Sequence, residues 1–436
     1  MNTHAFSRKT WLAVILFGLF GQLAWTVENM YFNVFVYNTI TDDPSVIAHM
    51  VFFSALTATL TTLLMGGLSD KLGKRKGLMV GGYILWGLST LAFALVSVEN
   101  TSKLIGTAGA VHTTIILVIA MDCLMTFFGS TANDAAFNAW INDITVPSVR
   151  GRVESVLAVL PLVATLIIFG GFDGLTQQGN WQLFFIIIGS LVTLGGIIGL
   201  FAIKESPNLA KSEGRFFADV LYGFKASTVK AHRRLYLSLL LLGILGISTQ
   251  VFMPYLIIYI QRYLNIDMYA VVLAAVLIVS SVISVFLGKR IDAVGKMRFF
   301  FPAAILFFLG LVLMFFARSF AFVILAGIVL MSGNMLCTAC ASGLIRDYTP
   351  KAKAGHFQGI RIVFQVLIPM AIGPYIGSAI IKDSAATYTD LGVVKSVPTP
   401  NIFIGAAIAI VFISIPLFIL KRKGMEKGND ENTLER

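Results

Sequence analysis

Long runs of apolar residues, separated by short polar segments, fill most of the chain. A helix needs about 20 consecutive apolar residues to cross the hydrocarbon core of a membrane, and twelve runs reach about that length. The predicted spans cover residues 11–37, 46–68, 78–98, 112–141, 153–173, 182–203, 235–262, 269–288, 299–317, 320–345, 358–381 and 401–420. The first run carries a polar stripe and lacks a small-residue cleavage site, so it is predicted to be a retained span and not a secretory signal. The pattern therefore predicts an all-α integral membrane protein.

The basic residues alternate from loop to loop. If the amino terminus is cytoplasmic, 28 of the 33 Lys and Arg residues lie in the cytoplasmic loops and termini. Such an excess follows the positive-inside rule, which sets the orientation of membrane helices. The charge pattern predicts a multi-pass protein of the inner cell membrane with twelve spans and both termini in the cytoplasm.

Composition agrees with a lipid environment and excludes several other classes. Hydrophobic residues make up 57% of the chain and charged residues 13%, too little polar material to cover soluble domains. The net charge of +11 is spread between apolar runs and is not gathered in one patch, which argues against a nucleic-acid partner. The expected partners are membrane lipid and a small-molecule solute. Cys123, Cys337 and Cys340 lie in apolar runs without a second ligand pair, so no metal or cofactor is expected. We expect a monomer.

A long charged segment at residues 204–234 divides the spans into two groups of six. The predicted domains are therefore six-helix bundles at residues 1–203 and 235–420. The tail at residues 421–436 is charged and poor in apolar residues, which is typical of disorder.

Apolar residues recur at helical spacing inside the segment at residues 204–234. They are Phe217, Val220, Leu221 and Phe224. The pattern fits a short helix on the cytoplasmic membrane surface, and a flexible linker is the alternative.

The two groups of six spans contain matching loops. Asp143 and Asp347 are each followed by Thr two residues later and Gly eight residues later. Asp70 and Asp292 are each followed by Gly three residues later and Lys four residues later. Duplicated bundles with equivalent loops are typical of transporters in which one half moves against the other.

The loop after the second span resembles a motif of the major facilitator superfamily. Residues 66–75 read Gly-Gly-Leu-Ser-Asp-Lys-Leu-Gly-Lys-Arg, which matches the family pattern of Gly, Asp, a basic residue, Gly and further basic residues. With the six-plus-six layout, the resemblance covers essentially the whole chain. It implies two six-helix bundles and a secondary transporter with alternating access, in which spans 1 and 4 line a central substrate cavity.

The loop at residues 66–75 is predicted to act as a conformational latch. Gly66 and Gly73 permit tight turns and close helix approach. Asp70 could accept hydrogen bonds from a helix amino terminus or pair with a basic residue in only one conformation. Alternatively, the basic residues of the loop only fix the topology. The predicted latch residues are Gly66, Asp70, Gly73, Arg75, Asp143, Arg152, Asp292 and Asp347.

Three acids lie well inside apolar spans, where a charge is costly unless it is functional or paired: Glu28, Asp122 and Asp134. Polar residues at helical spacing accompany them in spans 1 and 4. Such stripes must face protein or a watery cavity. The predicted cavity residues are Gln22, Trp25, Glu28, Asn29, Asn33, Asp122, Thr126, Asn133, Asp134, Gln250, Tyr255 and Asn334.

These carboxyl groups have two interpretations. They could exchange H⁺ or coordinate Na⁺ as the coupling ion, or they could hold helices together as hydrogen-bonded or ion-paired structural groups. Asp134 in particular could pair with Arg150, Arg152 or Arg361.

The predicted function is ion-coupled uptake, driven by H⁺ or Na⁺, of a sugar-like or other small polar solute. The layout and polar first span resemble glycoside–pentoside–hexuronide cation symporters, but span 2 lacks the acids of their Na⁺ site. Proton-driven efflux of amphipathic compounds is the alternative, although the Gly-Pro pair of that branch is absent from span 5. The chain contains no enzyme motif. A non-transporting sensor is the alternative from another class.

Overall fold

The computed structural model describes residues 7–145, 147–203, 205, 222–350, 357–384, 386–390 and 393–421. Within these ranges, twelve helices are long and apolar enough to cross a membrane, so the predicted number of spans is confirmed. We label these helices α1 to α12. Their bounds are Arg8–Thr39, Pro44–Leu72, Lys76–Leu95, Ala110–Ile144, Pro147–Gly171, Trp181–Ala202, Arg233–Tyr263, Tyr269–Val294, Lys296–Phe316, Phe320–Tyr348, Gln358–Lys382 and Asn401–Lys421.

Several helices extend beyond the predicted spans because their polar ends continue the helix past the apolar run. In α2, Asp43 caps the first turn by accepting a hydrogen bond from the Ser45 backbone N–H at 2.9 Å, and Pro44 occupies the first position. The helix ends at Gly73, whose φ of +60° favours glycine.

The chain forms two compact units, Met1–Gly214 with α1 to α6 and Arg215–Arg436 with α7 to α12. Between α6 and α7, the structure describes a 3-10 turn at Tyr222–Phe224 and a short helix at Ala226–Ala231. The predicted surface helix falls outside the described residues except for Phe224. The predicted disordered tail falls outside them except for Lys421.

Short elements join some of the membrane helices. Helices at Val98–Ile105 and Asp173–Gln177 connect α3 to α4 and α5 to α6. Between α11 and α12, strands β1 (Thr387–Asp390) and β2 (Val393–Ser396) form an antiparallel pair. This hairpin was not predicted, because a short polar connection contains no apolar run.

Each of four membrane helices contains a π-helical turn. These turns cover Val27–Tyr31 in α1, Ser130–Phe137 in α4, Tyr259–Tyr263 in α7 and Val363–Leu367 in α11. A π-turn inserts an extra residue, changes the direction of neighbouring side chains and is frequent at functional sites. Glu28 lies in the first of these turns.

Helices α3 and α6 pack closely because small residues lie between them. A Cβ atom at Gly87 would meet the backbone N and side chain of Thr193, and it would lie 2.7 Å from Gly189 O. In the second unit, Gly333 lies against the Phe307 backbone in the same way. Small residues at such positions let membrane helices approach closely enough for extensive van der Waals contact.

We expect Gly87→Ala to destabilise the protein, because the added methyl group would force α3 and α6 apart. The free energy of unfolding should fall by about 1–3 kcal/mol, as for other overpacked sites. Thermal unfolding of the purified protein, followed by tryptophan fluorescence, measures the change.

The matched control is Gly81→Ala in the same helix, where a Cβ atom would meet nothing within 4 Å. Equal unfolding temperatures for the two variants would contradict the close approach of α3 and α6.

Candidate functional site

The Glu28 carboxyl group lies at the meeting point of three helices. Its Oε1 atom accepts hydrogen bonds from Ser54 Oγ of α2 at 2.8 Å and from Thr126 Oγ1 of α4 at 2.7 Å. The two hydroxyl oxygens are themselves 2.8 Å apart. Glu28 is 8% exposed, Ser54 9% and Thr126 0%, so bulk water does not replace these contacts. The three residues form one closed triangle of oxygen atoms, which we call the Glu28 triangle.

A second buried acid lies beside the Glu28 triangle. Asp122 precedes Thr126 by one turn of α4, is 2% exposed and interacts electrostatically with Glu28. Glu28 Oε2 and Asp122 Oδ1 are both buried, and neither has a hydrogen-bond partner among the described residues. Among the residues that the structure describes, no Lys, Arg or His pairs with either acid. Two neighbouring carboxyl groups that lack a counter-charge are costly to ionise together.

The site has no arrangement typical of a resident metal. Within the described ranges, no group of three or more His, Cys, Asp or Glu residues is placed to hold a metal ion.

A chain of hydrogen bonds within the first unit connects Trp25 of α1 to α4 and α3 and returns to α1. Trp25 Nε1 donates to Asn133 Oδ1 at 3.4 Å, Asn133 Nδ2 donates to Tyr83 OH at 2.8 Å, and Tyr83 OH donates to the Phe17 carbonyl at 2.7 Å. The Trp25 ring also lies 4.8 Å from the Trp86 ring. The structure therefore brings the predicted residues Trp25 and Asn133 together, and Trp25 lies about one helical turn before Glu28 in α1.

Other polar residues of α1 bond mainly to their own helix. Asn29 Nδ2 donates to the Trp25 carbonyl at 2.8 Å and Asn33 Nδ2 donates to the Asn29 carbonyl at 3.1 Å. Gln22 is half-buried, and its carbonyl accepts a hydrogen bond from Thr26. Asn33 Oδ1 is buried without a hydrogen-bond partner. These contacts leave Gln22 and the exposed Asn29 amide the most accessible of the group.

Asp134 lies apart from the Glu28 triangle. It sits in the π-turn of α4, is half-buried, and accepts a hydrogen bond from Ser130 Oγ at 3.1 Å. No described basic side chain forms an ion pair with it, and the side chain of Arg150 is not described. The ion pair suggested for Asp134 is therefore not found in the part of the chain that the structure describes.

The three predicted residues of the second unit occupy different surroundings. Tyr255 is fully buried in α7, and its hydroxyl donates to the Pro374 carbonyl of α11 at 2.9 Å. Asn334 Nδ2 donates to Thr249 Oγ1 at 2.7 Å, which joins α10 to α7. Gln250 is half-buried, and its Cβ packs where Gly373 leaves space. Tyr255 is thus a helix-packing residue in this structure, whereas Gln250 is partly exposed.

The predicted latch forms a network around Arg75, between α2 and α3. Arg75 is 5% exposed. Its guanidinium donates to Asp70 Oδ1 at 2.6 Å, Ser69 Oγ at 2.6 Å and Asp143 Oδ2 at 2.9 Å. Burial opposes the guanidinium charge, but the hydrogen bonds and charges of Asp143 and Asp70 outweigh it and raise the pKa of Arg75. These residues link α2, α3 and α4, and we call them the Arg75 network.

Glu205 is a residue of this network that the sequence analysis missed. Its carboxylate accepts hydrogen bonds from the backbone N–H groups of Arg75, at 3.0 and 3.1 Å, and of Lys76, at 2.9 Å. These groups open α3, where the helix dipole favours a negative charge. The sequence signal is an acid two residues after the apolar run of α6, and it does not identify the partner of that acid.

The other predicted latch residues have mixed outcomes. Gly66 lies inside α2, and a Cβ atom there would meet nothing within 4 Å, so the close approach predicted at Gly66 is not found. Arg152 is exposed without an ion pair among the described residues, and the Asp292 side chain lies outside them. Asp347 accepts hydrogen bonds from Lys296 Nζ at 2.7 and 2.8 Å. This pair links α9 to α10, and within it Asp347 is the repeat counterpart of Asp143.

Comparisons with known proteins agree with this architecture. A family model described as "Major Facilitator Superfamily" matches residues 10–245 and, as a second repeat, residues 238–435. No curated protein sequence matches the chain.

Solved structures share the fold at low sequence identity. The nucleoside transporter NupG has a TM-score of 0.66 and 11% identity, over 94% of this chain and 98% of that one. A bacterial homolog of the human lysosomal transporter Spinster has a TM-score of 0.68 and 14% identity, over 96% of this chain and 98% of that one. The xylose transporter XylE from E. coli has a TM-score of 0.66 and 13% identity, over 94% of this chain and 98% of that one. Likeness at this identity shows the fold alone.

We expect Glu205→Gln to lower the unfolding temperature, because the amide removes the negative charge at the start of α3. The fall should be roughly 2–4 °C, corresponding to about 1 kcal/mol. Glu154→Gln, at an exposed acid in α5, is the matched control and should leave the temperature unchanged. Equal unfolding temperatures for the Glu205 variant and wild type would show that the contact does not stabilise α3.

Proposed function

Because this chain belongs to the Major Facilitator Superfamily and is therefore a membrane transporter and not an enzyme, we propose that it takes up a small polar solute driven by a proton gradient. In this proposal Glu28, with Asp122 beside it, carries the coupling proton. The Glu28 triangle is the observation that supports it.

Proton counting in the Glu28 triangle favours a protonated Glu28. The three oxygen atoms make three mutual contacts of 2.7–2.8 Å. Each contact needs one proton, and the hydroxyl groups of Ser54 and Thr126 supply only two. A proton on Glu28 Oε1 that is donated to one of the two hydroxyl groups completes the ring of hydrogen bonds, and Oε1 then accepts only from the other hydroxyl group. Without it, one pair of oxygen atoms would face each other with lone pairs alone.

Release of this proton would change the local electrostatics strongly. An ionised Glu28 would lie near Asp122, and Asp134 is also within electrostatic range. No described basic residue pairs with Glu28 or Asp122 to offset that charge. The protonated and ionised forms would therefore favour different helix arrangements, which is the requirement for coupling transport to a proton gradient.

The accessible groups near the acids suit a polar, hydroxyl-bearing solute. Gln22 and Asn29 can donate and accept hydrogen bonds, and the half-buried Trp25 offers an aromatic face. Two of the structures compared above are named as transporters of nucleosides and of xylose, which are solutes of this kind. We propose a nucleoside-like or sugar-like solute on this basis.

Glu28→Gln should uncouple uptake from the proton gradient, because the amide cannot release a proton. In proteoliposomes, we expect wild type to accumulate a labelled nucleoside or pentose from a test panel when the outside is acidic. The variant should only equilibrate the same solute across the membrane. Glu99→Gln, at an exposed acid that pairs with Lys103, is the control and should transport like wild type.

Two results would contradict the role of Glu28. One is undiminished accumulation by Glu28→Gln under the pH gradient. The other is accumulation by wild type that requires a Na⁺ gradient at equal pH.

We further propose that the Arg75 network acts as a conformational latch. Arg75 connects Asp70, which is half-exposed, to the more buried Asp143, and Glu205 binds the adjacent backbone. A buried cation with several partners from different helices stabilises one arrangement of those helices.

Asp70→Asn should slow transport without weakening solute binding, because it removes one charge from the Arg75 network. Since the Asp70 side chain is 53% exposed, we expect a change of roughly two- to fivefold in rate. The initial uptake rate and the solute concentration for half-maximal thermal stabilisation measure the two effects separately. Lys71→Gln is the control at the next position, and an equal fall in the uptake rate of both variants would contradict a specific role of the Asp70–Arg75 pair.

A further inference from the structure

A pocket of about 310 Å³ lies at the end of the second unit where α7 begins, α10 ends and α11 begins. Its walls are partly apolar, with Leu235 from α7, Ile345 from α10 and Phe357 before α11. Two arginines also line it, Arg346 from α10 and Arg361 from α11. The pocket therefore combines an apolar wall with two positively charged side chains.

Among the residues that the structure describes, no acid neutralises the two arginines. No acid is among the described residues that line the pocket. Asp347 is next to Arg346 in the chain, but both of its oxygen atoms accept from Lys296. Arg361 is half-buried and lies within electrostatic range of Arg346, and within the described ranges its side chain donates to the neutral Gln365, at a long 3.3 Å.

Such an arrangement favours an anion. Two guanidinium groups that repel each other are costly without a counter-charge where one of them, here Arg361, is half-buried. Arginine presents a planar fork of N–H donors that matches the oxygen atoms of a phosphate group. The amide of Gln358 lines the same pocket and can add a further donor.

We propose that this pocket binds a phosphate group between Arg346 and Arg361. Two sources share this chemistry, the head group of an anionic phospholipid and a soluble phosphate. The apolar wall fits the glycerol and upper acyl carbons of a lipid, and basic pockets between membrane helices bind anionic head groups in other proteins. The site lies in the second unit and does not depend on Glu28 or on the proposed function.

The test uses the full-length protein purified in neutral detergent, with tryptophan fluorescence to follow thermal unfolding. One arm titrates dioleoylphosphatidylglycerol into a constant background of phosphatidylcholine. The other arm titrates sodium phosphate against sodium chloride at matched ionic strength. We expect wild type to be stabilised in a saturable way in at least one arm, and that arm identifies the source of the phosphate group.

Arg361→Gln and Arg346→Gln should each raise the half-saturating concentration of the active probe by roughly tenfold or more, as for the loss of a charge-assisted hydrogen bond. Arg361→Lys keeps the charge and should retain part of the binding. Arg290→Gln is the matched control at an exposed arginine near the end of α8, and it should bind like wild type. If Arg361→Gln fails to fold, the exposed Arg346 carries the test.

The proposal is overturned if neither probe stabilises wild type. It is also overturned if the arginine variants and the Arg290 control respond equally to both probes. Equal responses would indicate unspecific attraction of anions to a basic protein.

Discussion

A polar or charged group in a hydrocarbon environment must find a partner, because no water is available to replace it. This cost explains why the chain crosses the membrane as twelve helices, each of which satisfies its own backbone. It also explains where charges occur. The Arg75 network and the pair of Lys296 with Asp347 lie at helix ends, where polar surroundings reduce the cost of a charge. Inside the helices, every acid requires a specific explanation.

The buried acids of the first unit differ in how well their oxygen atoms are satisfied. Asp173, which is 3% exposed, accepts hydrogen bonds from Tyr31 at 2.8 Å and from Gln177 at 2.6 Å. It therefore reads as a structural acid that joins α1 to the helix after α5. Glu28 and Asp122 each retain one buried oxygen atom that no donor in the described part of the chain reaches. The contrast between satisfied and unsatisfied acids supports a functional role for the second pair, since a purely structural carboxyl group would gain stability from further donors.

The two units keep equivalent ion pairs but differ in their interiors. Arg75 with Asp143 joins α3 to α4 and Lys296 with Asp347 joins α9 to α10, and the two aspartates occupy matching places in the repeat. The first unit concentrates acids in α1 and α4, whereas the candidate residues of α7 and α10 are neutral. Most of these neutral groups form bonds between helices. The proposed proton site therefore lies in the first unit, and the proposed phosphate pocket lies at the end of the second unit.

Much of the architecture follows from the sequence alone. The number of spans depends on the length of apolar runs, which the thickness of the membrane fixes, and the loop at residues 66–75 identifies the family through its spacing. The sequence also singled out Glu28 and Asp122, because an acid inside an apolar run is visible in one dimension.

The partners of these residues were decided only by the tertiary structure. Ser54 and Thr126 meet at Glu28 although they are 72 residues apart, and Glu205 reaches the backbone of Arg75 across 130 residues. Tyr255 has a polar hydroxyl in the sequence, yet the packing of α7 against α11 uses it as an internal bond. Such contacts depend on how each helix is rotated about its axis and on which neighbouring helix it packs against. Small residues at helix contacts and π-turns within the helices determine this rotation and this packing.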